Sequence, residues 1–184
     1  MKATGIVRRI DDLGRVVIPK EIRRTMRIRE GDPLEIYTDR EGEVIFKKYS
    51  PIGELAGFAT EYAETLHKIC GISVLIFDRD AVIAVAGVPK REYLDKKMSE
   101  ELEAIVERRQ LYVRRTREER IELTDGGSAH VLNCGMPIIT EGDVVGCVCS
   151  VTVPDGEEGG GLSPDSEAKL IQTAAGFLSK QMES

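Results

Sequence analysis

Cationic side chains are concentrated in the first 29 residues of the chain. Nine Lys and Arg stand there against three Asp and Glu, a net charge of +6, whereas the whole chain carries −6. A guanidinium group can bind two phosphate oxygens at once, and it can also bind the edge of guanine. The sequence therefore predicts that this segment binds nucleic acid.

The charge balance changes near Ser50-Pro51. Residues 1–50 carry 12 basic and 9 acidic side chains, and residues 51–184 carry 14 and 23. We therefore expect two domains, 1–50 and 51–184, with different roles. The longest apolar run, Ala81–Val88, is much shorter than the roughly 20 residues that cross a bilayer. The opening MKATGIVRR also lacks the apolar segment of a signal peptide, so a cytoplasmic protein without a membrane partner is expected.

Very short elements must hold the basic segment. In chain order, the pattern predicts strands at 6–10 and 15–18 around a turn at Asp11-Asp12-Leu13-Gly14, a short helix from Pro19 to before Gly31-Asp32-Pro33, and a hairpin of Leu34–Tyr37 and Val44–Phe46. About 50 residues without a disulfide or a metal bury little apolar surface. The first domain is therefore expected to dimerise.

Three motifs in this domain resemble the AbrB-type transition-state regulators of spore-forming bacteria. They are Thr4-Gly5-Ile6-Val7-Arg8, Asp12-Leu13-Gly14-Arg15-Val16-Val17-Ile18-Pro19 and Arg23-Arg24. The resemblance implies a swapped-hairpin β-barrel, in which two chains exchange strands, with Arg8, Arg15, Arg23 and Arg24 on one DNA-facing surface. It also implies a nucleoid-associated activator and repressor of the genes of the developing spore. Arg9 and Lys2 are further candidate contacts. Arg9 ranks lower because its strand parity opposes that of Arg8.

The acidic second domain is predicted to be α+β. Apolar residues recur at helical spacing from Ile52 to Ile69, and a last helix opens at Ser163-Pro164. Between them the sequence predicts a helix at Met98–Arg109 and strands at Ile72–Phe77, Ala81–Ala86, Leu111–Arg114, Ala129–Thr140 and Asp143–Val153. An antiparallel sheet flanked by helices in this order is similar to the GAF small-molecule sensor domain.

That resemblance leaves two roles open for the second domain. It could sense an unknown small molecule, or its helices could form a bundle between subunits and give a tetramer. Apolar residues that could line a ligand site or simply fill the core are Ile72, Leu75, Val82 and Val145.

The four cysteines are interpreted as small core residues, and no metal, cofactor or catalytic residue is expected. Glu141-Gly142 predicts a two-residue turn in which Thr140 faces Asp143. An uninterrupted ladder from that turn pairs Cys134 with Cys149, Met136 with Cys147, Leu132 with Val151 and Ile138 with Val145. The alternative is a thiol sensor or catalytic cysteine, for which His130 is the only candidate partner on the same face.

Two other protein classes share parts of this pattern. An addiction-module antitoxin has a similar DNA-binding head, but its tail is usually disordered, and residues 51–184 are rich in periodic apolar sequence. A GAF-fold reductase would need reactive paired cysteines. A DNA-binding regulator that is not an enzyme is therefore the favoured interpretation.

Overall fold

The computed structural model describes residues 5–154 and 162–183. The chain divides between Tyr49 and Ser50 into two compact units. Lys2, one of the candidate DNA contacts, lies outside the described residues. No helix within the described ranges is long and apolar enough to cross a membrane.

The first unit contains one short helix and one hairpin: α1 (Lys20–Thr25), β1 (Leu34–Thr38) and β2 (Val44–Lys48). The predicted hairpin is confirmed, with Ile36 opposite Phe46. The helix begins directly after Pro19 but ends at Thr25, earlier than predicted. Arg27 ends it by adopting a left-handed φ of 51°, so that the amides of Arg27 and Ile28 donate back to the last-turn carbonyls at 3.2 and 2.7 Å.

Residues 6–18 form the predicted turn but not the predicted strands. The Gly14 amide donates to the Asp11 carbonyl, and the Asp11 amide donates to the Arg15 carbonyl, both at 3.1 Å. Segments 6–10 and 15–18 have no strand partner in the described single chain. Because a strand is defined by hydrogen bonds to a neighbouring backbone, the prediction of two strands is wrong for the isolated chain.

The second unit is α+β, as predicted, and its antiparallel sheet has the strand order β4-β3-β7-β6-β5. The predicted first helix is interrupted at Leu55, and the last helix begins as predicted, with the Ser163 hydroxyl accepting the Ser166 amide at 3.2 Å. The elements are α2 (Pro51–Glu54), α3 (Ala56–Cys70), β3 (Ser73–Asp78), β4 (Val82–Ala86), α4 (Lys90–Tyr93), α5 (Glu100–Val106), β5 (Tyr112–Val113), β6 (Val131–Thr140), β7 (Asp143–Thr152) and α6 (Pro164–Met182).

Both faces of this sheet are covered. Helices α3 and α6 pack on one face, where Ala63, Ile171 and Val148 belong to the same buried cluster. On the other face, Leu102 of α5 packs with Leu75 and other sheet residues. Of the possible ligand-lining residues, Leu75 and Val82 belong to this second cluster, and Ile72 and Val145 to the first. All four are buried, and Ile72 also borders a cavity at the end of the sheet.

The β6–β7 hairpin keeps its predicted turn but changes register beyond it. Ile139 pairs with Val144 and Ile138 with Gly146, so Val145 is an extra residue. A second irregularity leaves Asn133 extra and restores the predicted Leu132–Val151 pair. The other predicted pairs are wrong: Cys134 lies opposite Ser150, Gly135 opposite Cys149, Met136 opposite Val148 and Pro137 opposite Cys147.

A slip of one residue moves side chains to the other face of a sheet. Cys134 and Ile138 accordingly lie on the face that α3 and α6 cover. Cys147 and Cys149 lie on the opposite face, with α5. The predicted single face that holds these thiols together is therefore also wrong.

Gly146 marks a close approach between β7 and β3. A Cβ at this position would lie 2.2 Å from the Phe77 carbonyl oxygen, so the strands meet only because the side chain is absent. We expect Gly146→Ala to lower the free energy of unfolding of the second unit by about 1–3 kcal/mol. The control is Gly57→Ala in α3, where a Cβ has open space and should raise it by up to about 1 kcal/mol. Urea unfolding measures both, and a harmless Gly146→Ala would contradict the close approach.

Candidate nucleic-acid interface

The candidate contacts differ in whether their charged groups are already bonded. Arg8, Arg9, Arg23 and Arg24 are exposed. Within the part of the chain that the structure describes, their guanidinium groups make no hydrogen bond or ion pair. Such groups can bind phosphate without first giving up a protein partner.

The charged group of Lys48, in β2, has a structural role instead. The Lys48 ammonium donates to the Arg27 carbonyl at 2.8 Å and lies 3.5 Å from the Asp32 carboxylate. Asp32 also accepts a hydrogen bond from the Arg29 amide at 2.8 Å. These contacts tie β2 to the chain that leaves α1, which fixes the last helical turn. That turn carries Arg23 and Arg24.

Arg15 is positioned by Asp11, four residues earlier. One Asp11 oxygen, Oδ1, accepts the amides of Leu13 and Arg15 at 3.0 and 2.7 Å. The other, Oδ2, accepts Arg15 Nε at 2.8 Å, so the terminal amino groups of Arg15 keep their donors for another partner. The hydrogen bond from the Arg15 amide, followed by that from its side chain, lowers the pKa of Asp11.

The turn of the β1–β2 hairpin has the same geometry without the arginine. Asp39 Oδ1 accepts the amides of Glu41 and Glu43 at 3.0 and 2.8 Å. Gly42, at φ 87°, takes the place of Gly14, at φ 77°. The position of Arg15 is occupied by Glu43. The two turns share a backbone design, but only in the first does a guanidinium group bond the aspartate of the turn.

Removing the Asp11 side chain should loosen the first turn alone. We expect Asp11→Ala to speed amide hydrogen exchange at Leu13 and Arg15 by several-fold, because both amides donate to the Asp11 carboxylate. The matched control, Asp39→Ala, should act on Glu41 and Glu43 and leave the first turn unchanged. NMR exchange rates measure both, and an unchanged Leu13 rate in Asp11→Ala would rule out the carboxylate as acceptor.

The same turn should respond to acid. The folded-state pKa of Asp11 is lowered, so the stability contributed by its carboxylate is complete above the unfolded-state pKa. That stability is lost as the pH falls through the folded-state pKa. Exchange at Leu13, corrected for its intrinsic pH dependence, should therefore stay constant near neutral pH and accelerate only in strong acid.

Apolar side chains of the first unit are exposed in the single chain. Val7 is 85% exposed and Val17 71%, and Leu13, Ile36 and Phe46 are also exposed. No apolar side chain among the described residues of this unit belongs to a buried cluster. An exposed apolar patch of this extent is typical of a protein interface.

The thiols of the second unit are placed for packing. Cys134, Cys147 and Cys149 are buried, and Cys70 is partly exposed. Burial raises the pKa of Cys134 to about 12, and the hydrogen bond with Cys147 together with burial raises that of Cys149. A raised pKa disfavours the reactive thiolate. Among the described residues, no group of three or more His, Cys, Asp or Glu could hold a metal ion.

His130 does not supply the base that a reactive Cys134 would need. Its Nδ1 lies 2.6 Å from the hydroxyl of the fully buried Tyr93. Burial also lowers the pKa of His130, so the ring stays neutral near pH 7. Cys134 thus has no cationic histidine to stabilise its thiolate, which favours the interpretation of the thiols as core residues.

Thiol labelling should separate the cysteines by burial. In the native chain we expect Cys70 to react with an aromatic disulfide reagent at least about 100-fold faster than the other three, because only exposed thiolate reacts. Cys70→Ala should remove the fast phase, and labelling in denaturant should recover the remaining thiols. A second fast thiol in the native protein would contradict the packing role.

Comparison with known proteins assigns the family. Residues 54–183 match the family described as "Stage V sporulation protein T C-terminal, transcription factor". The chain belongs to the stage V sporulation protein T family. Residues 7–53 match a second family, "Antidote-toxin recognition MazE, bacterial antitoxin". The expectation of a transcription factor is confirmed by the family assignment.

Relatives from Bacillus subtilis (strain 168) agree with this assignment. Its stage V sporulation protein T is 53% identical over 184 residues, which cover 100% of this chain and 99% of that protein. Its transition state regulatory protein AbrB is 65% identical over 51 residues, which cover 28% of this chain and 52% of that protein. The predicted resemblance of the first unit to AbrB-type regulators is therefore confirmed.

Two solved structures match one unit each. The solution structure of the N-domain of the transcription factor abrB is 65% identical, covers 27% of this chain and 92% of its own, and has a TM-score of 0.25. A GAF domain/HD domain protein from Geobacter sulfurreducens is 18% identical, covers 70% of this chain and 92% of its own, and has a TM-score of 0.49.

Proposed function

We propose that this chain is a sequence-dependent DNA-binding regulator of sporulation genes, acting as activator and repressor. Family membership supports the class of function. One observation supports the choice of DNA contacts. The first unit exposes several arginines whose guanidinium groups have no partner in the described chain, and Arg15 is exposed beside them. The proposed contacts are Arg8, Arg15, Arg23 and Arg24, with Arg9 and Lys2 as further cations, in a cytoplasmic, nucleoid-associated protein.

The first unit offers no long recognition helix. Helix α1 has six residues, less than two turns, and none of them is buried. A groove-reading helix needs more length and a packed support. We therefore propose that the unit reads the shape and flexibility of the duplex, with arginines reaching phosphates and guanine edges.

Salt dependence tests this proposal. Four arginines from each of two subunits would neutralise roughly eight phosphates, and log K should fall against log salt with a slope of about −7. Fluorescence anisotropy of a labelled promoter duplex at several salt concentrations measures the slope. A flat response would remove the DNA-binding function, and equal affinity for a scrambled duplex would remove its sequence dependence.

The DNA-binding form is proposed to be a swapped dimer of the first unit. Segments 6–10 and 15–18 have no strand partner in the single chain, and Val7 and Val17 are exposed beside them. Exchange of these segments between two chains would give the backbone its partners and bury the apolar side chains. The small size of the unit supports the same conclusion.

The second unit is proposed to sense a small molecule or to join two dimers into a tetramer. An aromatic face made by Phe58 and Tyr62 of α3 and Phe177 of α6 supports assembly. The ring centre of Phe177 lies 5.6 Å from that of Phe58 and 5.4 Å from that of Tyr62, and Phe177 is 39% exposed. Two linked dimers would bind two DNA sites with increased avidity.

Sedimentation of a Phe177→Asp variant tests the assembly role. Burial of an unpaired carboxylate in an apolar interface is strongly unfavourable, so the tetramer should dissociate to dimers. Gln172→Asp, at an exposed position on another side of α6, is the control and should leave the mass unchanged. A tetramer that survives Phe177→Asp would place the contact elsewhere.

An antitoxin is the second candidate, favoured by the match of residues 7–53 to the MazE family. A toxin-binding tail folds when its partner binds, whereas the described residues of the second unit already pack on both faces of a sheet. Cooperative unfolding of the second unit in the free protein would exclude the antitoxin role. The buried thiols likewise give no support to a cysteine-dependent reductase.

A further inference from the structure

We propose that a cavity of about 410 Å³ in the second unit binds a small organic anion, a carboxylate or a phosphate ester with an apolar body. It lies at the edge of the sheet, where β5, β6 and β7 meet the start of α6. Its polar wall includes Arg115, Arg117, Asn133 and Glu167. This inference rests on the proposal that the second unit senses a ligand, and it is independent of the DNA contacts in the first unit.

The charge of the cavity wall is opposite to that of the unit around it. Residues 51–184 carry 14 basic and 23 acidic side chains. The wall nevertheless has three arginines, at positions 114, 115 and 117, and one carboxylate, Glu167. A concave site with an excess of positive charge in its wall attracts anions.

The three arginines have different tasks. Arg114 donates to three backbone carbonyls, those of Thr116 at 3.0 Å, of Arg117, and of Pro154 at 3.5 Å. These hydrogen bonds hold the segment after β5 against the end of β7. Arg115 and Arg117 are exposed, and their guanidinium groups make no hydrogen bond or ion pair in the described ranges. Glu119 accepts the Arg115 amide at 3.1 Å and also interacts with the charge of Arg115. Arg114 thus builds the wall, and its two neighbours provide guanidinium groups that can bind a carboxylate or a phosphate bidentately.

The extra residue in β6 supplies the opposite wall. Asn133 is unpaired in the ladder, its side-chain amide donates to Glu167 Oε1 at 2.8 Å, and its carbonyl accepts the Arg114 amide at 2.8 Å. Bulges of this kind often direct a side chain into a site. Glu167 keeps its second oxygen as an acceptor for a ligand hydroxyl or amine.

The remaining wall combines polar side chains, Ser73, Thr116, His130 and Thr152, with an apolar part that limits the size of the ligand. Val113, Val151 and Leu162 line that apolar part. The volume falls in the range of about 300–1,000 Å³ that holds small molecules. An inorganic ion would leave this apolar wall in contact with water, which is why an anion with an apolar body is favoured.

Binding of three matched probes to the full chain tests the site. Phenyl phosphate and benzoate represent the two anion chemistries, and benzyl alcohol is the neutral control of similar shape. We expect at least one anion to bind with a dissociation constant of about 1 mM or lower, at least about tenfold tighter than benzyl alcohol. Backbone amide shifts in NMR should map the bound probe to Gly71, Asn133 and Val151, which line the cavity.

The variant Arg115→Gln/Arg117→Gln should weaken anion binding by about tenfold or more. The control Arg91→Gln/Arg108→Gln removes two exposed arginines outside the cavity and should have no effect. Absence of anion binding, equal binding of benzyl alcohol, shifts that map elsewhere, or full affinity in the first variant would each overturn the proposal. Both variants should keep duplex affinity, so a failure here is distinguishable from a failure of DNA binding.

Discussion

Replacement of Arg23 and Arg24 by alanine should reduce duplex affinity by about a thousandfold or more. The two side chains occupy the last turn of α1, are exposed, and have no bonded partner in the described chain. A dimer of this variant lacks four guanidinium groups. A hydrogen bond that involves a charged group contributes about 1.5–3 kcal/mol. Because α1 contributes no buried residue, the fold should survive the change.

The same variant should change the salt dependence of binding. Loss of four of roughly eight phosphate contacts reduces the slope of log K against log salt from about −7 to about −4. Arg40→Ala is the control, since Arg40 is an exposed cation in the turn of the other hairpin. If both variants lose the same affinity, binding depends only on net charge. If the slope of the double variant is unchanged, Arg23 and Arg24 do not contact phosphates.

The second large effect concerns the dimer of the first unit. Val16 and Val17 are neighbours in segment 15–18, and both are exposed in the single chain. Adjacent side chains of a strand point to opposite faces, so one of the two must face the interior when the segment pairs with another chain. An unpaired carboxylate there would cost about 3–5 kcal/mol. At least one of Val16→Asp and Val17→Asp should therefore break the dimer of the first unit.

Sedimentation of the full chain and amide exchange in β1 and β2 would detect this loss. Disruption of the first unit should lower the oligomer mass and remove protection from both strands. Leu94→Asp, at an exposed apolar position of the second unit, should change neither. If both valine variants keep the mass and the protection of the wild type, the first unit does not need its partner, and the swapped-dimer proposal fails.

Elements fixed by local chemistry could be predicted from the sequence. Ser163 and Pro164 mark the start of α6 because a hydroxyl caps the free amides and proline needs no amide bond there. Asp39 to Gly42 mark the second hairpin for a similar local reason, since aspartate accepts nearby amides and glycine adopts positive φ. The basic character of the candidate site could also be predicted, because residue type and the local density of charge indicate it.

Features that depend on distant contacts could not be predicted. The slip at Val145 coincides with Gly146, whose approach to Phe77 involves a strand almost seventy residues earlier. No period in the sequence of β6 marks Asn133 as an extra residue. The missing strands at 6–10 and 15–18 have a related cause, because their proposed partner is a second chain. The hydrogen bond from the Lys48 ammonium to the Arg27 carbonyl likewise could not be predicted, because it depends on the path of the chain after α1.

Helix α6 connects two places that were described separately. Glu167, in its first turn, borders the cavity and holds Asn133, and Phe177 belongs to the aromatic face. The ten residue steps from Glu167 to Phe177 span about 15 Å of continuous helix. A helix is stiff over that length, so a displacement of Glu167 by a bound ligand would tilt the ring of Phe177. Ligand binding in the cavity would then change the strength of the subunit contact that the aromatic face makes.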